Sequence, residues 1–126
     1  MNISTDVLYL DGVRVATPKE GGISLGRYKT WSENSGRTDE GKAIGTIKYI
    51  KTKLEISWDT LTSADIIKID NIVSNKSKPF VSVKFRGLDG EFKTITAYFG
   101  DSVIPITRYK NGKPVISGYK LSTIEQ

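Results

Sequence analysis

Carboxylates are the main candidates for general acid–base chemistry in this sequence, because its 126 residues include neither His nor Cys. A Ser-His-Asp or Cys-His nucleophilic system, a zinc finger and a thiolate-bound iron–sulfur cluster are therefore excluded. Two carboxylates about 5–9 Å apart would be enough for glycoside hydrolysis. The acidic residues that a fold might bring together are Asp59, Asp65, Asp70, Asp89, Glu91 and Asp101.

Structural roles nevertheless account for these carboxylates better than catalysis does. Asp65 stands where it would cap a helix, Asp59 borders the start of that helix, and Asp89 lies in a turn. Neither Asp39-Glu40 nor Asp89 with Glu91 has the ligand spacing of a calcium loop. The glycines form no phosphate-binding pattern. We therefore expect a protein that is not an enzyme and needs no metal or cofactor.

Positive charge is in excess, with 19 Lys and Arg against 14 Asp and Glu, a net charge of +5. The densest basic stretch comprises Lys42, Lys48, Lys51 and Lys53, and it is typical of a solvated strand face rather than a phosphate-binding stripe. Six aromatic residues lie between the lysines and could stack on unpaired bases. These are Trp31, Tyr49, Trp58, Tyr98, Tyr109 and Tyr119.

Packing inside the protein is the favoured role of those aromatic residues, since Trp58 falls on an apolar strand face and Tyr is a common strand residue. Nucleic acid is consequently not the expected partner. Trp31 is the aromatic residue that we expect to be exposed, because it adjoins a polar segment. A small basic β-barrel that binds single-stranded nucleic acid stays open as the alternative, as does a glycan- or cell-wall-binding module that uses Trp31.

Two short dipeptides predict β-hairpins, because Asp-Gly and Asn-Gly supply the positive φ angles of a type I′ turn. Asp11-Gly12 separates two strand-like segments at 7–10 and 13–16, and Asn111-Gly112 precedes a strand predicted over residues 115–124. Strands are also predicted over residues 23–31 and 46–58. In the second of these, Leu54, Ile56 and Trp58 alternate with polar residues and should face the core.

One helix is predicted over residues 63–74. Thr62 and Asp65 have the spacing of a capping box, and Ile66, Ile69 and Val73 form an apolar stripe that needs a sheet to cover. Two more strands flank the turn at 87–90 and should pair as antiparallel neighbours. The sequence therefore predicts a single, mainly β domain (α+β) over residues 1–126. Its architecture is an antiparallel β-sandwich or barrel with one flanking α-helix.

A long polar segment interrupts these strands at about residues 32–45. Residues 32–41 have no apolar periodicity, and loops of this length inside a compact domain are functional or disordered. We therefore interpret it as a loop for assembly with other proteins. The candidate contact residues are Trp31, Glu33, Asn34, Arg37, Asp39 and Lys42.

Three segments together resemble a family of short proteins encoded in the tail modules of long-tailed phages and prophages of Gram-positive bacteria. They are Leu-Tyr-Leu-Asp-Gly-Val at 8–13, Lys-Leu-Glu-Ile-Ser-Trp at 53–58 running into Leu-Thr-Ser-Ala-Asp at 61–65, and Tyr-Lys-Asn-Gly-Lys at 109–113 leading to Leu-Ser-Thr-Ile-Glu at 121–125. These motifs are structural rather than catalytic.

The resemblance implies a structural component of the virion, in the tail tube or the baseplate, made in the cytoplasm of the bacterial host. It implies self-association into a ring, other tail proteins as partners, and no catalytic residues. A membrane is not an expected partner, because no stretch of the sequence approaches the ~20 apolar residues of a membrane span.

Overall fold

The computed structural model describes residues 3–32, 36–39 and 41–126. In this part of the chain, strands joined by turns precede and follow one helix, α1 (Ser63–Val73). The strands are β1 (Leu8–Leu10), β2 (Val13–Arg14), β3 (Ile23–Trp31), β4 (Gly36–Arg37), β5 (Ala43–Ile44), β6 (Ile47–Ser57), β7 (Thr60–Leu61), β8 (Val81–Arg86), β9 (Phe92–Phe99), β10 (Ile106–Lys110), β11 (Lys113–Ser117) and β12 (Lys120–Glu125).

A seven-stranded sheet in the order β2-β1-β8-β9-β12-β6-β3 dominates the fold. A three-stranded sheet has the order β10-β11-β7, and β4 and β5 form a two-stranded sheet among the described residues. Every strand pair is antiparallel, including the predicted neighbours β8 and β9. The mainly β architecture with antiparallel sheets and one flanking helix is therefore confirmed.

A single core joins the large sheet to the helix and the small sheet. The large sheet contributes one face of alternating residues, among them Leu10, Leu54 and Val83, each less than 2% exposed. Ile69 of α1 and Ile116 of β11 pack into the same buried cluster. Leu54, Ile56 and Trp58 all lie in this core, as the alternation in β6 predicted. The sheets thus pack as a sandwich, with the helix on the same side as the small sheet.

The helix begins and packs as its sequence predicts. The side chain of Thr62 accepts a hydrogen bond from the Asp65 backbone N–H, and the Asp65 carboxylate accepts one from the Thr62 N–H. Ile66 and Ile69 are buried, and Val73 is partly buried against the core. Both predicted hairpin turns are also confirmed, since Asp11 and Asn111 have φ values of 51° and 54°.

The strand predicted over residues 115–124 is wrong, because the chain changes sheets in its middle. Gly118 has a φ of +74°, which ends β11, and its N–H donates to the Asp59 carbonyl. Tyr119 is then buried with its ring stacked on Trp58 at 5.5 Å between centroids. A continuous strand could not pair in both sheets, so this glycine provides the bend.

The polar segment at 32–45 also differs from the predicted loop. In its described residues β4 and β5 pair, and the Thr38 N–H donates to the Lys42 carbonyl over 2.8 Å. The Ser32 N–H likewise donates to the Thr46 carbonyl. Backbone pairing of this kind needs no apolar side chains, so a search for hydrophobic alternation could not find it.

Candidate binding surface: the open sheet face and the arm

The seven-stranded sheet has one face over the core and a second face that is solvent-accessible. In β6, β8, β9 and β12 the residues that alternate with the core positions are all half-buried or exposed. We call this second side the open face. Along each strand, the residues of the open face alternate with core residues such as Leu54, Val83 and Ala97. Strand register therefore decides which side chains of neighbouring strands meet on the open face.

Three tyrosines and two lysines adjoin one another on the open face, and we call them the tyrosine patch. Strand register sets Tyr28 opposite Lys51, and it sets Ile124 opposite both Lys53 and Tyr98. Tyr49 is two residues from Lys51 and therefore shares its face. The exposed fractions of Tyr28, Tyr49 and Tyr98 are 57%, 46% and 39%. These rings thus present large aromatic surfaces to solvent.

Each lysine of the tyrosine patch lies beside a tyrosine ring. The Lys51 Nζ is 5.4 Å from the centroid of Tyr49, and the Lys53 Nζ is 5.9 Å from that of Tyr28. Lys53 also pairs with Glu55 at 3.1 Å, which raises the pKa of Lys53. The pKa of Glu55 is lowered, first by the Ser122 hydroxyl and then by Lys53.

A second aromatic cluster continues the open face toward β1. Tyr9 and Phe92 meet edge to face with 5.8 Å between their centroids. The Lys84 Nζ lies 4.8 Å and 4.6 Å from these two rings, and the Arg86 guanidinium lies 4.2 Å from Phe92. Arg86 also pairs with Asp6 at 2.9 Å, and its hydrogen bond holds the pKa of that carboxyl below its usual value.

Positive charge predominates on the open face. Among the paired strands that form it, Glu55 is the one described carboxylate at an open-face position. The cations at such positions are Arg14, Lys51, Lys53, Lys84, Arg86 and Lys120. Such a surface attracts anions, and its aromatic rings offer flat apolar contacts beside the charges.

A two-stranded arm extends the sheet beyond β12. The pairing of β12 with β6 ends at Ile124 and Lys53, whereas β3 continues to pair with β6 as far as Trp31 and Ile47. The arm comprises residues 27–31 and 47–52. It contains four cations and no carboxylate, and its large exposed side chains are Tyr28, Trp31, Ile47, Tyr49 and Ile50.

The outer edge of β3 has no partner strand among the described residues. The Ser57 N–H donates to the Gly22 carbonyl over 2.7 Å, and the Ser32 N–H donates to Thr46 at the far end of the strand. Because antiparallel pairing alternates, the even-numbered residues of β3 bond to β6. The N–H and C=O groups of residues 23, 25, 27, 29 and 31 therefore point away from the sheet.

The described residues of the predicted assembly loop lie at or just beyond the end of the arm. Trp31 is 52% exposed, as expected. The Arg37 guanidinium donates to the Gly41 carbonyl at 2.9 Å, and Asp39 lies in the turn between β4 and β5. Lys42 is exposed, and its N–H donates to the Thr38 hydroxyl. Glu33 and Asn34 lie outside the described residues.

Most of the tyrosine patch could not be predicted from the sequence. The expectation that the aromatics pack inside is correct for Trp58 and Tyr119, each 1% exposed, and wrong for Tyr49, Tyr98 and Tyr109. Alternation along β6 was a usable signal for Tyr49, because Leu54 and Ile56 face the core and the odd-numbered positions must face the other way. No local signal singles out Tyr28.

Three of the six carboxylates considered for catalysis, those of Asp65, Asp70 and Asp89, have structural partners. Asp65 caps α1, Asp70 accepts a hydrogen bond from the Ser74 hydroxyl, and Asp89 accepts from the Glu91 N–H and pairs with Lys93. The Glu91 N–H is the first cause of the lowered pKa of Asp89. Within residues 3–32, 36–39 and 41–126, no three acidic side chains form a cluster that could hold a metal ion.

The fold and this surface define the class: a β-sandwich protein with a basic, aromatic open face and a projecting arm. Comparisons with protein-family models, curated proteins and solved structures found no match. No helix in the described part of the chain has the length and apolar character needed to cross a membrane.

Proposed function

We propose that this protein is a non-enzymatic structural subunit of a phage or prophage tail, in the tail tube or baseplate region. It assembles in the cytoplasm of the host bacterium with copies of itself in a ring, and with other tail proteins. The resemblance of its three sequence segments supports the setting. The observation that carries the assembly role is the unpaired edge of β3.

The edge of β3 differs from the opposite edge of the same sheet. β3 has nine residues, whereas β2 at the other end has two. A long edge with free N–H and C=O groups accepts a strand from another molecule, and proteins that stay monomeric usually shorten or block such an edge. No proline interrupts β3, and its one register shift lies at the far end, between Thr30 and Trp31. Strand addition at this edge is therefore the assembly contact that the fold supports best.

Charge along β3 favours a ring over a two-fold dimer. In a symmetric antiparallel pair centred on Arg27, the two copies of this guanidinium would lie opposite each other, and like charges opposite each other in a sheet are destabilising. Lys29 adds a second cation to the same strand, which has no carboxylate. In a head-to-tail contact, the β3 edge of one copy pairs with a different edge of the next copy, which avoids this repulsion. Repeated contacts of this kind generate a ring if the rotation between neighbouring copies closes.

Replacing Arg27 by proline tests the edge directly. The N–H of residue 27 points away from β6, so proline removes a donor from the free edge without removing a hydrogen bond inside the sheet. Arg27→Ala is the matched control, because it removes the same side chain and keeps the N–H. We expect the wild type and Arg27→Ala to form oligomers and Arg27→Pro to remain a folded monomer.

Solution mass from sedimentation velocity, with circular dichroism to confirm folding, gives the result. Strand addition at β3 is contradicted if Arg27→Pro assembles as the wild type does. Self-association is contradicted if the wild type stays monomeric at every concentration tested.

A further inference from the structure

The open face has the composition of a stacking platform, and we propose that it binds single-stranded nucleic acid. Bases stack on the rings of Tyr28, Tyr49 and Tyr98, and phosphates contact Lys51 and Lys53. This activity goes beyond the proposed assembly role. It uses side chains on a sheet face, whereas assembly uses the backbone of the β3 edge.

The tyrosine rings are placed to receive bases. All three belong to one sheet face, and each is between 39% and 57% exposed. Tyr28 lies close over the backbone of Gly26, where an added Cβ would come within 2.6 Å of a ring carbon. Glycine at this position therefore allows the ring to lie against the strand. Rings held at a sheet surface stack on unpaired bases with little sequence preference.

The lysines of the patch place positive charge beside the rings. Their ammonium groups are 5.4 Å and 5.9 Å from the centroids of Tyr49 and Tyr28, so a nucleotide stacked on either ring brings its phosphate near a cation. Lys51 also donates to the Gln126 carbonyl. The pair between Lys53 and Glu55 is solvent-exposed and contributes little stability. A phosphate can therefore replace the carboxylate as the partner of Lys53.

The remaining side chains of the open face favour nucleic acid over a protein partner. Protein interfaces have apolar centres from which charged residues are depleted. Here the Tyr98 ring meets Phe80 edge to face at 5.9 Å, but the open-face positions of β8, β9 and β12 otherwise carry mainly hydroxyls and cations, including Ser82, Thr94, Thr96 and Ser122. Ile124 is the one aliphatic residue of these three strands on this face. Unpaired bases are required for stacking on the tyrosine rings, because the faces of bases inside a duplex are already stacked on their neighbours.

Fluorescence anisotropy of a labelled oligodeoxythymidylate, about 15 nucleotides long to cover a typical binding site, measures the binding. We expect Tyr28→Ala and Tyr49→Ala each to weaken it about tenfold. We expect Lys51→Gln to reduce the slope of log K against log salt by about 0.7, the value for one phosphate contact with a single strand. A duplex of the same length should bind more weakly than the single strand.

Strand β10 of the small sheet provides matched controls. Tyr109 is 67% exposed and Lys110 is exposed, yet both are outside the open face. Tyr109→Ala and Lys110→Gln should leave the affinity for the oligonucleotide unchanged. Arg27→Pro, which tests assembly, retains every residue of the tyrosine patch. The experiments can therefore contradict assembly through β3 without contradicting nucleic-acid binding by the tyrosine patch, and the reverse is also true.

Three outcomes would overturn nucleic-acid binding by the open face. The first is no change in anisotropy at low salt. The second is an equal loss of affinity in the β10 controls, which would indicate non-specific attraction by net charge. The third is equally tight binding of labelled poly-glutamate, which would mean that the patch recognises charge without bases and fits an acidic protein instead.

Discussion

Thr123 is a core residue whose hydroxyl has no hydrogen-bond partner within the described part of the chain. It is fully buried in β12. A buried polar group without a partner costs about 1–3 kcal/mol. Thr123→Val keeps the shape of the side chain and removes the hydroxyl, so we expect the free energy of unfolding to rise by about 1–2 kcal/mol.

Urea denaturation of Thr123→Val and of Thr52→Val tests this expectation. Thr52 is a suitable comparison, because it is also buried in the large sheet but its hydroxyl accepts a hydrogen bond from Arg27 at 3.0 Å. The same change at position 52 should destabilise the protein. If Thr123→Val is destabilising as well, its hydroxyl is hydrogen-bonded in solution.

Tyr119 should make the protein sensitive to high pH. Burial raises the pKa of its phenol above the ordinary value of 10.0, although the Ser102 hydroxyl, 2.6 Å away, partly opposes this. The folded state thus favours the neutral phenol. This contribution to stability is fully present below about pH 10 and is lost as the pH rises through the folded-state pKa.

Tyr119→Phe removes the ionisable group and keeps the ring that stacks on Trp58. The free energy of unfolding of the wild type should therefore fall more steeply above pH 10 than that of the variant, while their difference stays constant at lower pH. Chemical denaturation at a series of pH values measures both curves. Parallel curves through the alkaline range would show that Tyr119 does not titrate differently in the folded state.

At the scale of the elements, α1 is held to the sandwich by its apolar stripe. Ile69 is fully buried, whereas Ile67 in the same helix is 55% exposed. Ile69→Ala should lower the free energy of unfolding by about 2–5 kcal/mol, through lost apolar burial and the cavity that remains. Ile67→Ala should change it by less than about 0.5 kcal/mol. A loss below about 1 kcal/mol at Ile69, measured by urea denaturation, would contradict this packing.

The helix, the turns and the core side of β6 were all predictable from the sequence, because each depends on neighbouring residues. The capping box at Thr62 and Asp65 and the two type I′ turns act within four residues. The break at Gly118 was missed for the opposite reason. Its bend is required because Tyr119 packs on Trp58, a contact between residues far apart in the chain.

At the scale of the whole molecule, the exposed features concentrate on one side. The open face is the side of the large sheet away from the helix and the small sheet, and the arm continues that sheet past the end of β12. The free edge of β3 runs along the same arm. The proposed assembly contact at the β3 edge therefore adjoins the proposed nucleic-acid site on the open face. The first uses backbone groups, and the second uses side chains.

The sequence by itself determined the class of fold, the helix, the hairpin turns and the core positions of β6 and α1, since alternation, capping and turn chemistry are local. Only the tertiary structure decided which strand edge has no partner among the described residues and whether aromatic residues such as Tyr98 and Tyr119 are exposed or buried. Tyr98 and Tyr119 both lie in segments that the sequence predicts as strands, yet only Tyr119 is buried. The physical reason is that exposure depends on whether another layer covers a strand, and that layer comes from distant parts of the chain.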